Sequence, residues 1–129
     1  MANRLSLPAQ PLSVRQARRF VSDRALALGH GPLRSSAELL TSEVVTNAIV
    51  HAGTEITVEV FPAADGIRVE VTDGSPPPLL RPAHPDPEGV GGRGLQLVDM
   101  IAAAWGVEGA GAGKIVWFEL SQDGGRPNL

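Results

Sequence analysis

The chain has 129 residues, 43% hydrophobic and 19% charged, with 11 Lys+Arg against 14 Asp+Glu and a formal charge of -3. This is the size and composition of one globular domain, and it excludes a multidomain chain, intrinsic disorder and a globally basic surface of the kind that holds a nucleic-acid backbone. Without cysteine there is no disulfide framework, thiolate metal site or cysteine nucleophile, and without a signal peptide or an apolar run of ~20 residues the expected setting is cytoplasmic, away from any membrane.

In chain order, Met1 to Pro11 shows no period, and Arg4 to Leu7 is a candidate short edge strand. From Leu12 to Leu28, Val14, Ala17, Val21, Ala25 and Leu28 recur at spacings of three and four, which predicts a helix stopped by Gly29. Ser35 and Glu38 have capping-box spacing, and Leu40, Val44, Ala48 and Ala52 continue an apolar face up to Gly53, predicting a second helix. Ile56, Val58 and Val60, then Ile67, Val69 and Val71, alternate with polar neighbours around the turn signal Asp65-Gly66, which predicts a hairpin. A third helix is expected over Gly92 to Ala104, closed by Gly106. A final strand over Lys114 to Leu120 should pair with Trp105 to Gly109, leaving Ser121 to Leu129 as a tail. Both Trp105 and Trp117 are expected in the core. The sum is an α/β (α+β) two-layer sandwich, with helices on one face of a mostly antiparallel mixed sheet.

Gly74 to Gly92 interrupts this order. It holds six of the 11 prolines and four glycines, so neither helix nor strand propagates through it. A connection of this length inside a small domain usually serves as a lid or is a disordered insert.

Three stretches flank this segment with residues able to carry chemistry. Glu43, Asn47 and His51 are four apart and fall within about 80° of one another on the second helix, expected opposite its apolar stripe. A solvated polar face is one reading; the other is a hard-oxygen set suited to Mg²⁺. Asp73 ends a strand, either as a turn residue capping its own backbone or as an acceptor for the exocyclic amine of adenine. Gly91-Gly92-Arg93-Gly94-Leu95 opens the third helix and offers free backbone N–H groups at a positive helix end, either a hinge or a phosphate cradle. On the first helix Arg15, Arg18 and Arg19 form a basic ridge, read either as solvated charge or as a surface for an acidic or phosphorylated partner.

The ordered set of Ser42-Glu43-Val44-Val45-Thr46-Asn47-Ala48 with His51, then Val71-Thr72-Asp73-Gly74, Gly91-Gly92-Arg93-Gly94-Leu95 and Gly113-Lys114-Ile115-Val116-Trp117, resembles the nucleotide-binding boxes of the GHKL ATPases, in particular the bacterial anti-sigma-factor serine/threonine kinases. The resemblance implies a Bergerat fold across one domain, ATP and Mg²⁺ as cofactors, and residues 74–92 as an ATP lid. It makes Glu43 the general base, Asn47 the Mg²⁺ ligand and Asp73 the adenine reader. His51, Gly91, Gly92, Arg93, Gly94, Leu95 and Lys114 complete the nucleotide site. It further implies a small anti-sigma-factor antagonist as the serine substrate docking at Arg15, Arg18 and Arg19, and it allows a sigma factor as a second partner and a homodimer, with no direct nucleic-acid contact. One box departs from the pattern: Asp73 is followed by Gly74, Ser75, Pro76 and Pro77 where the family has Asp-x-Gly-x-Gly. The departure keeps two other readings open, a nucleotide-gated module that binds a partner without phosphorylating it, and an interaction domain with a vestigial pocket.

Overall fold

The two period-two runs form the centre of the sheet. The computed structural model describes residues 2–76 and 92–122, with the backbone alone at 92–94. In order these are β1 (Arg4–Leu7), α1 (Leu12–Ala27), a 3-10 turn (Gly31–Leu33), α2 (Arg34–His51), β2 (Ile56–Ala63), β3 (Gly66–Asp73), α3 (Gly92–Ile101), β4 (Ala104–Ala110) and β5 (Gly113–Ser121). The strands lie in the order β1-β2-β3-β5-β4, and all four pairings are antiparallel, in keeping with the mostly antiparallel sheet expected of the two-layer sandwich.

Ile56, Val58 and Val60 of β2, Ile67, Val69 and Val71 of β3, and Val116, Phe118 and Leu120 of β5 point to one face and are buried. Against them pack small α1 residues, Ala17, Val21 and Ala25, and the α2 residues Ala37, Leu40, Val44, Val45 and Ala48. Each such aliphatic or aromatic side chain taken from water contributes roughly 1.5–3 kcal/mol, so this single layer contact carries most of the domain's stability. The candidate strand Arg4 to Leu7 is present and pairs with β2 at the sheet edge.

The helix stops follow from backbone chemistry. Gly29 adopts φ 87, while its N–H donates to the Leu26 carbonyl and that of His30 to the Ala25 carbonyl, the paired bonds of a Schellman end. Gly53, at φ 63, ends α2 in the same left-handed region.

Other local signals lose to tertiary contacts. The Ser35 and Glu38 capping box does not form: α2 continues from the 3-10 turn, begins at Arg34, and has Leu33 at its N-cap with no side-chain cap. Gly66 is not a turn glycine but a strand residue paired with Ala63. A Cβ there would lie 1.8 Å from the Leu120 carbonyl oxygen, so glycine is required by the approach of β5, and Asp65 takes the left-handed turn position at φ 56. The third helix ends at Ile101, not Ala104, because the Ala103 N–H already donates to the Glu119 carbonyl and the chain has joined the sheet. Gly106 therefore stands inside β4 opposite Trp117, where a Cβ would come within 2.8 Å of the indole nitrogen.

Trp105 packs against the core and donates from Nε1 to Asp99 at 2.9 Å. Trp117 does not join the core. It lies on the sheet face away from the helices, beneath the Arg68 guanidinium at 4.0 Å, and Arg68 also pairs with Glu70 at 2.8 Å and Glu119 at 3.0 Å.

Candidate functional site

Helix α2 positions the first group. Glu43 and Asn47 occupy successive turns and both are half-buried, while His51, in the last turn, is exposed. They flank the buried stripe and do not lie opposite it as expected, because each immediately precedes a stripe residue, Val44, Ala48 or Ala52, and so stands only about 100° from it around the helix. The burial places a carboxylate and an amide oxygen beside the core layer and not on the solvated back of the helix. α3 packs against α2 and β4. Gly92, Arg93 and Gly94 form its first turn and so present unbonded backbone N–H groups at a positive helix end. Leu95 is partly buried against the core, while Gly91 and residues 77–90 of the lid segment lie outside the described residues, as do residues 123–129 of the tail.

The end of β3 holds the most closely bonded group. Asp73 is 4% exposed. The β3–β5 register sets Asp73 directly opposite Lys114, and the Lys114 ammonium donates to Asp73 Oδ2 at 2.7 Å. Asp73 Oδ1 accepts from both the backbone N–H and the hydroxyl of Ser75, each at 2.8 Å. Lys114 donates to the same hydroxyl at 2.8 Å, which closes a ring of three side chains. The turn-capping reading of Asp73 is thus realised, and it coexists with a carboxylate fixed at a strand end. Thr54, just after α2, accepts the Gly74 N–H at 2.8 Å and ties the start of the lid segment to the α2 end of the layer. Gly113 permits the register, since a Cβ there would sit 2.1 Å from the Asp73 carbonyl oxygen.

Sequence reasoning missed Ser75 and Thr54. The signal for Ser75 was its position two residues after a strand-ending aspartate, where a side-chain-to-backbone turn forms. Thr54 carried no such signal, because its contact with Gly74 spans 20 residues.

The basic ridge also acquires a partner from outside its helix. The exposed Arg15, Arg18 and Arg19 line a groove of about 430 Å³ together with Ser22, Asp23, Arg34 and Glu38. Arg34, from the first turn of α2, donates to Ser22 Oγ at 2.9 Å.

These donor sets fit a nucleotide and its metal. The helix start supplies N–H groups for phosphates, Asp73 supplies an acceptor for a base, and Asn47 with Glu43 supplies hard oxygens. Among the described residues no three acidic or histidine side chains converge to hold an ion. An ion at Asn47 would therefore complete its shell with waters and phosphate oxygens, as Mg²⁺ commonly does. Also among the described residues, no helix is long and apolar enough to cross a membrane.

Comparison with known proteins agrees with this geometry. An uncharacterized protein of Streptomyces coelicolor is 42% identical over 84 residues, 60% of this chain and 78% of that protein. Residues 7–120 match the histidine kinase-like ATPase domain, a span that includes α1 and α2, β2 to β4, β5 as far as Leu120, and the Asp73 cluster. The chain belongs to the histidine kinase-like ATPase (GHKL) family of ATP-binding domains.

Proposed function

We propose that this domain is an ATP- and Mg²⁺-dependent protein serine/threonine kinase of the anti-sigma-factor type, which phosphorylates a small antagonist protein and also sequesters a sigma factor. The observation that carries the reading is the half-buried Glu43 one turn from Asn47 on α2, in a family whose domain binds ATP. A domain that only bound nucleotide would need the amide for the metal but not a carboxylate beside it. In the proposed reaction Asn47 would hold Mg²⁺, which would supply positive charge to the phosphates, and the N–H groups at the α3 start would bind them as well. Glu43 accepts the serine hydroxyl proton as the oxygen attacks the γ-phosphorus and ADP leaves. Arg15, Arg18, Arg19 and Arg34 form the docking face for the protein substrate.

The test has two arms. ATP binding is measured by calorimetry with and without Mg²⁺ on the wild type and on Asn47→Ala, with the Mg²⁺-dependent part expected to vanish in the variant. Transfer of labelled γ-phosphate to candidate antagonist proteins is then followed with the wild type and Glu43→Ala, and loss of transfer with ATP binding kept is expected. Binding without transfer to any antagonist would leave the nucleotide-gated module; absence of ATP binding at saturating concentration would remove the kinase reading altogether.

A further inference from the structure

The ring formed by Asp73, Ser75 and Lys114 has unused hydrogen-bonding capacity in one place. An ammonium has three donors, and Lys114 uses one on Asp73 Oδ2 and one on Ser75 Oγ. An ionised carboxylate has about four lone-pair sites. Oδ1 takes the Ser75 N–H and hydroxyl, and Oδ2 takes Lys114. Among the described residues, one donor on Lys114 and one acceptor site on Asp73 Oδ2 therefore remain, on atoms 2.7 Å apart. The Asp73 side chain is 2% exposed and that of Lys114 17%. A ligand group that reaches so enclosed a carboxylate does so in contact with the ammonium bonded to it.

We propose that Lys114 is a second reader of the nucleotide base, donating to ring nitrogen N1 of adenine while Asp73 accepts from the neighbouring exocyclic amine. The Watson–Crick edge of adenine carries that amine donor directly beside the N1 acceptor, which is the complement of an acceptor placed beside a donor. Guanine presents the reverse order along its edge, an oxygen acceptor where adenine has the amine and an N–H donor at N1, so in the same seating it opposes donor to donor and acceptor to acceptor. The inference rests on the ATP-binding reading above and adds the specificity of its base pocket. A strand register with no tolerance for a side chain at Gly113 places the lysine there.

Lys114 is the single lysine of the chain, so labelling with ¹³C,¹⁵N-lysine gives one Nζ and one Cε resonance that need no assignment. The wild-type protein is titrated with Mg²⁺-ATP and with Mg²⁺-1-deaza-ATP, in which N1 is replaced by a C–H and the exocyclic amine is kept. The expected result is a shift of the Nζ signal with ATP that 1-deaza-ATP does not reproduce, together with about tenfold weaker binding of the deaza nucleotide, as for loss of one charge-assisted hydrogen bond. In Lys114→Met the two nucleotides should bind within about twofold of each other, and in Lys114→Gln, which keeps an uncharged donor, the preference should shrink to a few-fold. A lysine that merely neutralised Asp73 would weaken both nucleotides equally on substitution. An Nζ signal indifferent to saturating ATP, or a full preference for ATP surviving in Lys114→Met, overturns the assignment. If ATP binds and that coupling is absent, only the base-reading role falls; if ATP does not bind at all, the nucleotide reading falls with it. The labelled wild type decides the matter even where a variant fails to fold.

Discussion

Gly66→Ala and Gly113→Ala place the same backbone clash at opposite ends of the β3–β5 ladder. The new Cβ would stand 1.8 Å from the Leu120 carbonyl oxygen in the first and 2.1 Å from the Asp73 carbonyl oxygen in the second. Neither obstacle is the flexible end of a side chain, so the strands must separate. Overpacking of this kind costs typically 1–3 kcal/mol, and the smaller entropy of an unfolded chain with alanine returns about 0.4–1 kcal/mol. A net loss of about 1.3 kcal/mol is expected for each variant, close to 5 °C in Tm for a domain of this size. A total stability of about 5–15 kcal/mol keeps both folded. Their functional effects should differ. Gly113→Ala moves β5 away from Asp73 at the residue before Lys114, stretches the 2.7 Å ion pair, and should weaken ATP binding roughly tenfold, or ~1.4 kcal/mol. Gly66→Ala disturbs the far end of the same ladder and should leave ATP affinity within about twofold. Urea unfolding and calorimetry on both proteins measure the two quantities separately. Equal losses of ATP affinity, or a Gly113→Ala protein as stable as the wild type, would refute the argument that register at Gly113 builds the base pocket.

Other consequences are more local. Arg15→Ala with Arg19→Ala, and Arg34→Ala separately, should each weaken binding of the protein substrate with ATP affinity unchanged; equal loss of ATP affinity in a titration of both ligands would place these arginines in the nucleotide site instead. Arg68→Ala should cost about 1 kcal/mol in urea unfolding, because it leaves Glu70 and Glu119 without their shared cation and uncovers Trp117. The same substitution should shift tryptophan fluorescence. Phe118→Ala removes a fully buried ring at the centre of the sheet and should cost about 3–5 kcal/mol by thermal or urea unfolding.

The parts of the fold legible in the sequence were those set by local period and backbone conformation. Ala17, Val21 and Ala25, with Val14 partly buried beside them, gave α1 its buried stripe, and Gly29 and Gly53 marked both helix ends because a left-handed residue is a local requirement. What could not be read locally was set by contacts between distant segments. Ala102 to Ala104 has high helix propensity, yet Ala103 is claimed by Glu119, 16 residues later. Gly66 and Gly106 looked like punctuation, and both are glycine because another strand or an indole lies against them. Trp117 follows the alternation of β5 onto the face opposite Phe118, so its placement was in the pattern, but its size favoured the core. In the site, Glu43, Asn47 and Asp73 were readable as types at fixed spacing. The engagement of Asp73 by Lys114 was not, because it depends on a register between strands 41 residues apart.

That engagement bears on the departure of the first glycine-rich box from its family pattern. Glycines after a strand-ending aspartate give the backbone freedom to turn away while the carboxylate faces the base. Here Ser75 and Pro77 stand at the two glycine positions, and Ser75 replaces that freedom with local bonding. The Ser75 N–H and hydroxyl both seat Oδ1, and Thr54 holds the intervening Gly74 N–H, so the carboxylate is oriented by contacts within the turn itself. Oδ1 is thereby filled before any ligand arrives, which leaves Oδ2 as the acceptor. The lysine across the strand pair takes one site of Oδ2, leaves the other, and brings a donor of its own. A box stiffened by serine and proline thus keeps an acceptor and a donor available at one point, and it follows that Ser75→Gly, which restores a glycine next to Gly74, should loosen Asp73 and lower ATP affinity instead of raising it. Calorimetry on Ser75→Gly decides between the two: tighter binding would mean that the altered box is a defect that glycine repairs, and weaker binding that serine orders the carboxylate for the base.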